Sequence, residues 1–311
     1  MRLASAPVSF GVDEVQADAW RPEPDDVLDI IRDLGFEGSE LGPPGYLGDP
    51  GTTRKRLEQR GLELVASYLP LRFSRSESIE DDLEWLDGML DLVKESAPAS
   101  SRPFVVLADS FSEPDRLALA GRIQDHPETW LPDDRFELLV TNLHRAAERC
   151  RLAGLEPVLH PHGGTYVETD REIRAVANRL DPALIGLCLD TGHARFGGAD
   201  PAALARDYRH LIRHVHIKDC DTRVLRDVAA EGGGLKEAIG RGAFCELGTG
   251  DSGIVDVVWE LVDGGYDGWL VVEQDRALTL GTTIEDLRAS QARNVAFLAT
   301  LGVRTADRAA S

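Results

Sequence analysis

Short apolar runs rich in β-branched residues alternate along the chain with longer stretches whose apolar positions recur at helical spacing. The short runs are RLASAPVSF, FEGSEL, LELVASYL, PFVVLAD, EPVLH, IGLCLD, IRHVHIK and GWLVVEQ. Among the helical stretches are PDDVLDIIRDLG, LEWLDGMLDLVKE, FELLVTNLHRAAERCRLAG, GIVDVVWELVDGG and TIEDLRASQARNVAFLATLG. Several of these open on an acid or a threonine and close on a glycine. Gly35, Gly61, Gly154 and Gly265 each stand just before the next strand, as expected where a helix hands over to a strand. Eight strand–helix alternations without a long polar linker predict an α/β fold, a single (β/α)8 TIM barrel over residues 1–311. A doubly wound sheet would need GxGxxG or another phosphate loop after the first strand, and PVSFGVDE is neither. The Gly-rich segment 220–252 is predicted as an insertion between strands seven and eight that caps the site or meets a neighbouring subunit. Its ELGTGD and GGG strings read as flexible loop rather than phosphate cradle, since neither opens a helix after a strand.

Composition narrows the range of partners. The 34 basic and 54 acidic residues give a formal charge of −20. Affinity for nucleic acid rests largely on Lys and Arg displacing counterions, so DNA or RNA is not expected as a partner. No run approaches the roughly 18 apolar residues of a membrane span, and the N-terminal stretch makes a poor signal peptide. The four cysteines, Cys150, Cys188, Cys220 and Cys245, form no CxxC pair or tight framework, so reduced thiols and a cytoplasmic location are expected.

A TIM barrel builds its active site at the C-terminal ends of its strands, and the chemically potent residues gather there. The second strand ends in Glu40 and the fourth in Asp109; the fifth ends in His160 and His162. Asp190 closes the sixth, with His193 following in LDTGH. The seventh carries His214, His216 and Lys218, and the eighth ends in Glu273. Residues i and i+2 of a strand share a face, which pairs His160 with His162 and His216 with Lys218. His160, Asp190, His216 and Glu273, from four consecutive strands, form a ligand set for one divalent ion, with His162 as the alternative to His160. Such imidazole and carboxylate donors suit Mn2+, Zn2+ or Co2+. His214 lies deeper in its strand and reads as a core or supporting residue, and Cys188 as an ordinary buried thiol.

The motifs LCLDTGH, RHVHIKD and GYDGWLVVEQD, together with GFEGSELGPPGYLG and HPHGGTYVET, resemble the xylose isomerase-like sugar isomerase/epimerase barrels, and within them the inosose dehydratase-like branch. The resemblance runs from about residue 5 to 300. It implies a divalent metal, Mn2+ foremost with Zn2+, Co2+ or Mg2+ as alternatives, bound in the family by Glu, Asp, His and Glu. The last three fall on Asp190, His216 and Glu273. The first Glu falls on His160, a departure that weakens a two-carboxylate epimerase reading. The implied activity is that of a lyase dehydrating a keto-cyclitol such as an inosose through a stabilised enediolate. A sugar isomerase or epimerase, or a 3-keto-glycoside β-eliminase, would use the same site. His162 and His193 are expected as acid–base partners, Lys218 as an oxyanion-stabilising group and Glu273 as a ligand able to act as a base. Glu40 and Asp109, with His162, His193 and Lys218, are expected to bind a small polyol, keto-cyclitol or keto-sugar. A homo-oligomer is compatible with this reading. A nuclease of the same barrel class would need a basic surface that the charge denies it, and a non-catalytic sugar-binding barrel would have no use for an intact ligand set.

Overall fold

The computed structural model describes residues 1–12 and 20–305. All eight expected strands form, and they close into a parallel barrel. In chain order they are Arg2–Ser5, Gly38–Ser39, a third strand in two pieces (Glu63–Leu64 and Ala66–Leu71), Phe104–Asp109, Glu156–Leu159, Gly186–Asp190, Ile212–Ile217 and Trp269–Val272. Closure falls at both ends of the order. Strand one pairs with strand eight, Arg2 opposite Trp269 through Ser5 opposite Val272. The split third strand joins its neighbours, its first piece pairing with strand two and its second with strand four. Val65 bridges the split by donating its N–H to Ser39 O at 2.9 Å.

The expected helical stretches form as Pro24–Asp33, Ile79–Ser96, Asp133–Leu152, Ile254–Asp263 and Ile284–Thr300. Their apolar faces pack on the outside of the barrel around Ile30, Leu86, Leu143, Val257 and Leu287, all buried. Inside the barrel a second, smaller core of Ala4, Val106, Val158, Cys188, Trp269 and Val271 fills the lower half. The upper half is left to polar side chains. Among the described residues no helix is long and apolar enough to cross a membrane.

Two local features aim the site. Between strands six and seven the register slips, Leu187 facing Ile212 but Cys188 facing His214, so Arg213 is the extra residue of a bulge. Such bulges re-aim side chains near active sites. Beyond it Asp190 stands opposite His216. Segment 220–252 is more ordered than a flexible loop. It folds into helices Thr222–Ala230 and Leu235–Gly240, and Phe244–Cys245 pairs antiparallel with Asp219–Cys220. Asp219 ties down the ELGTGD string, accepting from the amides of Gly248 (2.9 Å), Gly250 (3.0 Å) and Ser252 (3.0 Å). The carboxylate lies so close that a Cβ on Gly250 would meet Asp219 Oδ1 at 2.5 Å.

Hydrogen bonds to a buried charged group are each worth about 1.5–3 kcal/mol, and orphaned amides add to the loss. Asp219→Ala is therefore expected to lower the unfolding free energy by on the order of 3–5 kcal/mol, read by urea denaturation. A variant within about 1 kcal/mol of the parent would show that this carboxylate does not anchor the segment.

Candidate active site

Strands five to eight bring three donors, from His160, Asp190 and Glu273, around His216 Nδ1. His160 Nε2 lies 3.1 Å from His216 Nδ1 and 3.4 Å from Asp190 Oδ2. His216 Nδ1 lies 3.6 Å from Asp190 Oδ2 and 3.3 Å from Glu273 Oε2. Bonds of about 2.0–2.2 Å to a single ion place adjacent donors roughly 2.8–3.6 Å apart, from octahedral to tetrahedral arrangements. The donor spacings match that range. Asp190 divides its labour: Oδ1 caps the helix Thr191–Phe196 by accepting from His193 N at 2.8 Å. Its Oδ2 is buried without a hydrogen-bond partner. It faces the two imidazoles at 3.4 and 3.6 Å and the Lys218 ammonium at 3.2 Å, a position with room on its lone pairs for a cation between the imidazoles. Cys188 also lies within reach of His160 and His216, but burial pushes its thiol up to about 11 and keeps it protonated.

Glu40 approaches from the opposite side of the barrel. Its Oε1 accepts from His214 Nε2 and His216 Nε2, both at 2.9 Å. Burial opposes its ionisation, yet the two imidazoles outweigh burial and hold the carboxyl well below the usual range. Lys218 Nζ reaches Asp275 Oδ1 at 2.8 Å, Glu273 Oε2 at 2.9 Å and Asp190 Oδ2 at 3.2 Å. Burial would lower its pKa, but these three carboxylates raise it well above normal and keep the ammonium charged. Its stem lies against Gly192, where a Cβ would stand 2.5 Å from Lys218 Cγ. The glycine of LDTGH is thus there for close approach.

Nearer the mouth, His162 and His193 pack together with ring centroids 3.6 Å apart and planes tilted by 35°. Hydrogen bonds fix their neutral tautomers. His162 Nδ1 donates to Gly163 O at 2.9 Å, leaving the lone pair on Nε2. Gly163 N donates to His193 Nδ1 at 3.3 Å, which places the His193 proton on Nε2, 3.3 Å from Asp275 Oδ2. Burial, with the charge of Lys218, pushes His193 down to about 4. Burial and the neighbouring His193, His160 and Lys218 hold His162 well below its ordinary value. His162, His193 and Asp275 could by distance hold an ion. Asp275 is instead held by the Lys218 ammonium at 2.8 Å, with His193 Nε2 3.3 Å from its other oxygen.

The cavity above these groups has a mixed lining. Glu40, His160, His162, His216, Lys218, Glu273 and Asp275 line it together with Val8, Val12, Tyr68, Phe111, Leu235 and Ile239, and Tyr68 and Phe111 pack edge-on against the histidines. Leu235 and Ile239 come from segment 220–252, which therefore roofs the site. Residues 28–299 match the family model described as the xylose isomerase-like TIM barrel. The chain belongs to the xylose isomerase-like TIM-barrel family. Within this family it is similar to an inosose dehydratase of Geobacillus kaustophilus (strain HTA426), 32% identical over 275 residues, covering 88% of this chain and 87% of the relative. An inosose dehydratase of Lacticaseibacillus casei is 26% identical over 279 residues, covering 89% of this chain and 90% of the relative. Among solved structures, the IOLI protein with a binding zinc atom superposes with a TM-score of 0.72 at 15% identity, over 97% of this chain and 99% of that one. L-Ribulose 3-epimerase does so at 0.68 and 19%, over 96% and 94%. The chain is an enzyme of this family, with the fold expected from its strand–helix alternation.

The structure brings His160, Asp190, His216 and Glu273 together, with Lys218 and His162 beside them. Two expectations of substrate contact need revision. Asp109 is not among the cavity-lining residues; its Oδ2 accepts from Tyr166 N at 3.1 Å and steadies the loop that carries His162. His193 stands behind His162 rather than on the cavity wall. Glu40 does line the cavity, but one of its oxygens is committed to two imidazoles. Asp275 is a site residue that sequence reasoning missed. Its signal is the spacing in VVEQD, where Glu273 and Asp275 repeat the i, i+2 pattern of the histidine pairs.

The loop carrying His162 has a second carboxyl support, Glu168, which accepts from Gly121 N at 2.8 Å and Gly164 N at 2.5 Å. Burial raises both Glu168 and Asp109 to about 7. A carboxyl raised on folding contributes stability that is present below its unfolded value, near 4, and lost as pH rises through about 7. Melting curves between pH 5 and pH 8 should therefore show the parent losing stability relative to Glu168→Gln and Asp109→Asn, by on the order of 1–3 kcal/mol. Parallel curves for parent and variants would contradict the assignment.

Proposed function

We propose that the protein is a divalent-metal-dependent dehydratase of an inosose-type keto-cyclitol, with His160, Asp190, His216 and Glu273 as the metal ligands. The observation that carries this is the gathering of the His160, Asp190 and Glu273 donor atoms around His216 Nδ1 at 3.1–3.6 Å, with the ammonium of Lys218 as the one cation of the structure beside Asp190 Oδ2 among the described residues. Two nitrogen and two oxygen donors suit a divalent ion such as Zn2+, Co2+ or Mn2+, and the family resemblance is what puts Mn2+ foremost. The similarity to inosose dehydratases supports the substrate class. An ion in this set would supply Lewis acidity at a ketone oxygen, which acidifies the neighbouring carbon.

His162 is the proton carrier. It is the one lining imidazole outside the ligand set among the described residues, and its Nε2 holds a lone pair at neutral pH. It takes the proton from the carbon next to the ketone, and its low pKa then favours handing that proton to the departing β-hydroxyl, which leaves as water. One base thus balances the elimination. Lys218 lines the cavity with a permanently charged ammonium and hydrogen-bonds an oxygen that gains negative charge. His193, beside Asp275, keeps His162 in place by ring-to-ring packing. Glu273 serves as a ligand rather than a base, since a coordinated carboxylate is a weak one.

One observation favours a second reading, β-elimination from a 3-keto-glycoside. A cyclitol bears a polar substituent at every ring carbon, yet Val8, Val12, Phe111, Leu235 and Ile239 give the cavity an apolar stretch of wall. Such a wall suits an apolar leaving group.

Incubation with an inosose should give a product with new enone-type absorbance. Asp190→Ala should abolish both bound metal, measured by elemental analysis, and turnover. His162→Gln should keep the metal and lower kcat by about 10^2–10^4-fold. Full activity in His162→Gln would remove it as proton carrier. Turnover of a 3-keto-glycoside but not of an inosose would replace the first reading with the second.

A further inference from the structure

The second strand contributes one side chain to the site, and its geometry points inward rather than to the substrate. Glu40 follows the paired residues Gly38 and Ser39, and its backbone stays clamped, with Glu40 N donating to Ser5 O at 3.0 Å and Leu41 N to Ala66 O at 2.9 Å. From there the carboxylate crosses the barrel to strand seven. His214 and His216 lie on one face of that strand, and Glu40 Oε1 accepts from the Nε2 of each at 2.9 Å. For His216 to donate from Nε2 in its neutral form, its lone pair must lie on Nδ1. That is the atom facing His160, Asp190 and Glu273.

We infer that Glu40 is a positioning residue, holding His216 in the Nδ1-ligating tautomer and orientation, with His214 as its second partner. The inference rests on the metal-ligand reading above. A carboxylate behind a ligating imidazole fixes the tautomer and raises the basicity of the bound nitrogen, and its loss typically costs 10–100-fold in metal affinity. His214 has no donor role toward the cavity; its Nδ1 is buried without a partner, and its ring lies 5.1 Å from that of Phe104. It steadies the carboxylate from below. Glu40 is thereby assigned to the ion rather than to a sugar hydroxyl.

The test uses the full chain stripped of metal and titrated with Mn2+ against a fluorescent chelator, in the parent, Asp190→Ala, Glu40→Gln and Glu40→Ala. Glu40→Gln keeps the shape and an acceptor oxygen but removes the charge, so it carries the test should Glu40→Ala fail to fold. The expected result is Mn2+ binding weakened about 10-fold in Glu40→Gln and about 100-fold in Glu40→Ala. KM for substrate at saturating Mn2+ should stay near that of the parent. Unchanged Mn2+ affinity with a raised KM would make Glu40 a substrate contact. Unchanged affinity with only a lowered melting temperature would make it structural. Either overturns the inference alone. A parent chain that binds no Mn2+ through Asp190 would overturn the ligand reading and this inference with it.

Discussion

Charge buried at the barrel mouth governs the whole arrangement. Glu40, Asp190, Glu273 and Asp275 are all nearly inaccessible to solvent, and Lys218 is the single ammonium among them. Burying unpaired charge is costly unless partners and hydrogen bonds offset it. Imidazoles supply part of the balance, Glu40 being satisfied by two of them. Asp190, Glu273 and Asp275 share the one ammonium of Lys218, and the first two also face His216. A divalent cation at that point balances the charge and uses donor atoms already spaced for it.

The scaffold serves this requirement at several levels. A bulge at Arg213 brings His216 opposite Asp190. Asp190 caps a short helix with one oxygen and offers the other to the site. Asp109 and Glu168 secure the loop that presents His162. Asp219 gathers three amides of the segment that roofs the cavity. The lower barrel interior is apolar and closely packed, which confines the polar chemistry to the upper half.

Much of this was legible in the chain. Strand–helix alternation was enough for the barrel, and strand-end position singled out His160, Asp190, His216 and Glu273 because each lies at the C-terminal end of a different strand. Three helices left few traces. Pro50–Arg60 buries only Thr53 and Leu57, so its apolar period is faint. Asp170–Ala177 and Pro201–Asp207 are two turns each, too short for a period to emerge. The roles of Glu40, Asp109 and Asp219 were hidden for a different reason. Each carboxylate is defined by what it accepts from, and those partners are 29 to 176 residues away or are backbone amides that sequence does not distinguish.

The central claim is that four side chains from successive strands share one ion. Anomalous diffraction from crystals soaked in Mn2+ tests it most directly. The account predicts one strong anomalous peak bonded to His160, Asp190, His216 and Glu273. A peak elsewhere, or none at millimolar Mn2+, would contradict it.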